Sequence, residues 1–125
     1  MKTADTLLLA ATFVLAATAA NAQANRNQFP QQGGEALYKG ICQDCHMEGG
    51  RGAVGAGQYP ALAKNPKLAE QGYPISVVTH GLKSMPAFGG ALSDQQIADV
   101  VNYVRTHFGN AYKDTVKPED VKNAR

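Results

Sequence analysis

Apolar positions recur with a helical period most clearly towards the end of the chain. Ile97, Val100, Val101, Val104 and Phe108 share one face, while Asp99, Asn102, Arg105 and Thr106 are assigned to the outer one. Ser93 is placed as an N-cap with Gln96 completing a capping box, and Gly109 closes the run. The pattern predicts an amphipathic helix of about four turns, with Tyr103 at the border of its apolar face.

A second helical pattern opens at Gly34, carries Ala36, Leu37 and Ile41, and leads into Cys42. Gly34 and Tyr38 fall on one helix face. Glycine inside a helix costs about 1 kcal/mol relative to alanine. From these residues alone, Gly34 is either a point where another helix crosses closely or a simple N-terminal spacer. Residues 47–58 are glycine-rich and predict an irregular loop; they lack the strand–loop–helix context of a phosphate-binding loop. Residues 66–71 predict a short helix with Pro66 at its first position. Tyr73-Pro74 opens another, carrying Ile75, Val77 and Val78 and stopped by Gly81. Residues 83–90 read as an extended loop. No strand pattern or internal repeat is visible, so the expected fold class is small and all-α.

The start of the chain follows a different rule. Lys2 supplies a positive charge, residues 6–20 are apolar and small, and Ala20-Asn21-Ala22 overlaps Ala22-Gln23-Ala24 as cleavage-type triplets. This predicts a signal peptide over residues 1–24, cleaved after Ala22 or Ala24. The rival, a retained anchor, needs roughly 20 apolar residues, and this stretch has 15. Export implies the periplasm, with no membrane span after cleavage. Residues 25–33 then read as a flexible lead-in, 34–109 as the domain and 110–125 as a tail in which Pro118 starts a short surface helix.

Composition narrows the function classes. Twelve Lys and Arg against 10 Asp and Glu leave a net charge of +2, without the clustered basic face of a nucleic-acid binder. The two cysteines build no disulfide framework, and without Trp the core is thin.

The chemistry concentrates in Cys42-Gln43-Asp44-Cys45-His46. C-x-x-C-H is the pattern of covalent haem attachment, and it implies one haem c per chain, held by Cys42 and Cys45, with His46 on one face of the iron. Zinc would need four ligands, but only His80 and His107 are left to add and no further cysteine exists. A redox-active dithiol is expected beside a βαβ pattern, which the chain lacks. An iron-ligating His needs an acceptor for its second ring N–H, and a carbonyl near Pro60 is a candidate. For the opposite face the candidate is Met85, in a loop stiffened by Pro86: Met1 leaves with the signal and Met47 adjoins His46. A thioether there raises the reduction potential. His80 and an open, gas-binding position are the alternatives, and a core gap-filler is the non-ligand reading of Met85. His107 reads as structural. With no nucleophile–base set, the chain is expected to be an electron carrier and not an enzyme. The alternative is a five-coordinate haem protein binding a small ligand or peroxide.

Gly34, Tyr38, the pentapeptide, Pro60, Met85-Pro86, and Val100 with Tyr103 together resemble a class I c-type cytochrome over nearly all of the mature chain. The resemblance implies a small cytochrome c fold, its N- and C-terminal helices crossing at Gly34 around a covalently bound haem. It also implies that the Pro60 carbonyl accepts the His46 ring proton. Met85-Pro86-Ala87-Phe88-Gly89, Leu92-Ser93-Asp94 and Val101-Asn102-Tyr103-Val104-Arg105 are similar to the cytochrome domains that accompany bacterial periplasmic dehydrogenases. The implied partners are redox proteins: a dehydrogenase, and a terminal oxidase or reductase. Two features depart from the pattern. No Trp is present for a haem-propionate contact, and the tail exceeds a minimal domain, as a partner-docking segment or a surface wrap. Lys39, Arg51, Lys64, Lys67 and Lys83 outnumber Asp44, Glu48 and Glu70 around the site, a mild basic bias for steering a partner.

Overall fold

The computed structural model describes residues 28–55 and 57–125. The expected signal peptide and the first residues of the lead-in lie outside the described residues. Helix α1 (Gly34–Leu37) runs on through a π-helical turn (Tyr38–Cys42) into α2 (Gln43–His46). After a tight turn at Glu48–Gly50 come β1 (Ala53–Val54) and β2 (Gln58–Tyr59). A 3-10 turn at Pro66–Leu68 precedes α3 (Gly72–His80), α4 (Asp94–Thr106) and α5 (Pro118–Asn123).

Helices dominate, as expected, but the all-α reading needs one correction. The glycine-rich stretch folds into an antiparallel hairpin, with Ala53 opposite Tyr59 and Val54 opposite Gln58. Two residues per strand are too few for alternation to be legible in sequence.

Helix α4 is the axis of the fold, and its start is set locally. Ser93 Oγ accepts from the Gln96 amide at 3.1 Å, and Gln96 Oε1 accepts from the Ser93 amide at 2.9 Å. The helix stops at Thr106; Phe108 (φ 60°) and Gly109 (φ 80°) turn left-handed, so Phe108 lies beyond the helix it was expected to end. Leu37 and Tyr38 pack with Ile97, Val100, Val101 and Val104, and Ile75, Leu68 and Leu92 complete that side of the core. Gly34 resolves as a crossing point. A Cβ there would overlap the Asp99 carbonyl and Tyr103 Cβ, so only glycine lets α1 lie on α4.

Three outward or loose assignments are overturned. Arg105 is fully buried. Its Nε donates to Leu68 O at 2.8 Å, and its terminal nitrogens donate to Ala69 O, Asp114 O and the Asp114 carboxylate. The tail is part of the core: Val116 and Val121 are buried, and Asn102 exchanges two hydrogen bonds of 2.8 Å with the Val116 backbone. The described part of the lead-in is tied down as well. Gln96 Nε2 donates to Phe29 O and Gln31 O, and the Phe29 ring meets Phe88 edge-on at 6.4 Å.

Candidate functional site

The pentapeptide occupies the π turn and α2. Cys42 is half-buried and Cys45 exposed, and the two form no disulfide. Burial, with a smaller contribution from Cys45, pushes the Cys42 thiol up to about 12. That is opposite to the depressed value on which dithiol redox chemistry relies. Among the described residues, no three His, Cys, Asp or Glu side chains are grouped to hold a metal ion by themselves.

His46 closes α2, and its ring is almost fully buried. Its Nδ1 lies 2.9 Å from Pro60 O. With Nδ1 protonated and donating to that carbonyl, Nε2 is left with its lone pair. The approach depends on Gly52 (φ 68°): a Cβ there would run into the Tyr59 carbonyl and lie within 2.8 Å of Pro60 C. The same glycine donates its amide to His46 O at 2.9 Å, so one residue holds both His46 and the strand end that carries its acceptor.

The residue after His46 is strained. Met47 has φ 66° and ψ 163°, a region costing a non-glycine residue about 1–3 kcal/mol. Its carbonyl accepts the Tyr38 hydroxyl at 2.7 Å and the Gly50 amide at 3.1 Å, which keeps the bend in place. Burial pushes the Tyr38 phenol up to about 12, so it stays protonated as this donor. The Tyr38 ring also contacts Phe108 and Tyr103, with centroids at 4.8 and 5.8 Å.

Met85 is half-buried in the α3–α4 loop. It closes a tight turn with Leu82, each backbone donating to the other at 3.0–3.1 Å, with Lys83 left-handed at φ 54°. Gly81 (φ 77°) makes room for this turn, because a Cβ would come within 2.7 Å of Met85 O. The other two histidines are placed elsewhere. His80 is exposed at the end of α3, with Nδ1 3.4 Å from Ser76 O. His107 stacks on Tyr103 at 4.1 Å, consistent with a structural role.

Sequence reading missed two residues that frame the site. Asn110, buried just past α4, donates to Leu62 O and Val104 O and accepts from the Asn65 amide. Arg125 bonds across to the loop that carries Met85. No local pattern marks either, since most of their partners are backbone groups that only folding brings within reach.

A family model described as cytochrome c oxidase, cbb3-type, subunit III matches residues 30–104. The chain is 36% identical over 107 residues to the fructose dehydrogenase cytochrome subunit of Gluconobacter japonicus, covering 74% of this chain and 22% of that one. It is 34% identical over 119 residues to the alcohol dehydrogenase (quinone) cytochrome c subunit of Komagataeibacter europaeus, covering 85% and 25%. With cytochrome c6 of Microcystis aeruginosa it shares 37% over 76 residues, 57% of this chain and 89% of that one. The chain therefore spans about a quarter of the length of the dehydrogenase subunits it matches.

Proposed function

The chain belongs to the family of that model, the cbb3-type subunit III group of class I c-type cytochromes, and from that premise we propose that it is a periplasmic shuttle with His46 and Met85 as axial ligands. It carries single electrons between a dehydrogenase and a terminal oxidase or reductase. The similarity to cytochrome subunits of dehydrogenases supports the first partner. The signal-type start supports the compartment, and no helix among the described residues is long and apolar enough to cross a membrane.

The family implies haem c, and the residues present fit it. The donor set is an imidazole with Nδ1 set against Pro60 O, two thiols on a single helical run, and a thioether on a separate loop. Among the described residues, the large apolar side chains Val54, Tyr59, Tyr73 and Leu82 stay exposed. All lie in the span between His46 and Met85, where the chain would wrap a porphyrin. Haem c, when bound, supplies a one-electron iron couple. Cys42 and Cys45 would hold it as thioethers, His46 would present Nε2, and Met85 would offer sulfur from the other side. Pro60 O orients the imidazole and would fix which nitrogen carries its proton.

The observation that carries this reading is the 2.9 Å contact from His46 Nδ1 to Pro60 O, because it leaves Nε2 as the free donor atom. The test is an optical spectrum of the oxidised protein. A weak thioether–iron band at the near-infrared edge, lost in Met85→Ala, is expected. Tight carbon monoxide binding by the unaltered reduced protein would overturn it in favour of the five-coordinate alternative.

A further inference from the structure

The loop between α3 and α4 is held at its far end by a side chain from the tail. Arg125 forms an ion pair with Asp94 Oδ1 at 2.5 Å, in the first turn of α4. Its two terminal nitrogens donate to Gly89 O and, at 3.1 Å, to Leu92 O. One planar guanidinium therefore joins three points of the segment that links Met85 to α4. A guanidinium suits this task because its fork of donors is rigid and permanently charged.

Met85 sits close upstream of that grip. Pro86 restricts the connection from Met85 to Phe88. The Phe88 and Gly89 amides donate to Val78 O and Thr79 O, at 2.9 and 3.0 Å, and dock the loop on the end of α3. Arg125 adds a further bond at Gly89, through its carbonyl. The other end of the described chain reaches this place too: Gln28 N donates to Ala91 O, and Phe29 packs on Phe88. Val121, fully buried in α5, seats the tail that delivers Arg125.

We propose that Arg125 is a positioning residue for Met85: by clamping Gly89, Leu92 and Asp94 it limits opening of the loop that presents the thioether. This rests on the axial role of Met85 proposed above. An added ligand such as imidazole binds the iron only when Met85 has left it, so its rate reports loop opening.

The test compares the haem-loaded protein with Arg125→Gln and Asp94→Asn. In Arg125→Gln, the Phe88 and Gly89 amides should exchange with solvent roughly tenfold faster, the scale of one lost hydrogen bond. Imidazole should bind the oxidised protein faster by a similar factor. The thioether–iron band should melt below the helical signal in this variant, whereas the two melt together in the unaltered protein. Asp94→Asn should give the same changes in smaller degree. Unchanged exchange at Phe88 and Gly89 in both variants overturns the clamp. A missing thioether–iron band in the unaltered protein would refute axial Met85 instead, with the exchange comparison still deciding whether Arg125 holds the loop.

Discussion

Arg105 shows how a single side chain can carry more of the fold than its type suggests. Its spacing from Ile97 and Val101 puts it on the apolar face, so its position was legible and its charge misled. The structure resolves the conflict with four carbonyl or carboxylate partners around one buried guanidinium. Asp114 is mostly exposed, so the backbone carbonyls account for most of the effect and the ion pair for little. Arg105→Leu leaves buried acceptors unpaired and should cost about 3 kcal/mol in a denaturant titration. The acid dependence has a definite sign. Hydrogen bonding to Arg105 lowers the Asp114 pKa from 3.8, so the unfolded chain takes up this proton first. The contribution is complete above that ordinary value and is lost as pH falls through the depressed folded one. Asp114→Asn should therefore flatten stability against pH below about pH 4. Gly34 gives the opposite lesson, since its type and place agree. Gly34→Ala forces a methyl against Asp99 O and Tyr103 and should lower stability by about 1–3 kcal/mol, read as a depressed melting temperature.

Among the elements, the strongest agreement is at α4 and the weakest in the tail. The start of α4 was readable because a capping box is a local device, closed within four residues. Ser93→Ala should cost about 1 kcal/mol in a thermal or denaturant melt. In the tail, Val116 and Val121 stand alone among polar and charged residues, so no periodicity marks them as core. The structure buries both against α4 and adds the Asn102 bonds. Val121→Ala should destabilise the domain by about 2 kcal/mol, measured as a shift in denaturant midpoint. A purely partner-docking tail would leave that midpoint unmoved.

For the molecule as a whole, a thin core without Trp is reinforced from both ends of the described residues. Phe29 and Arg125 reach the Met85 loop, and Asn110 ties the turn after α4 to the segment following the hairpin. A covalent porphyrin would add apolar surface to a domain of this size. Cys42→Ser combined with Cys45→Ser should abolish the haem stain after denaturing electrophoresis. It should also weaken the far-ultraviolet helical signal and lower the melting temperature. Full retention of helix and stability would show that the polypeptide core suffices by itself.

What the sequence determined alone is what local chemistry encodes: the pentapeptide and the α4 cap. In each, residue type and spacing within a turn or two carry the whole signal. Tertiary structure decided where Arg105, Asn110 and Arg125 find partners, and that the tail belongs to the core. It also set His46 Nδ1 against Pro60 O, with Gly52 making the approach possible. The physical reason is common to all of these. Their acceptors are mainly backbone carbonyls, which every residue possesses, so nothing in a side-chain pattern marks the one that folding will bring within reach.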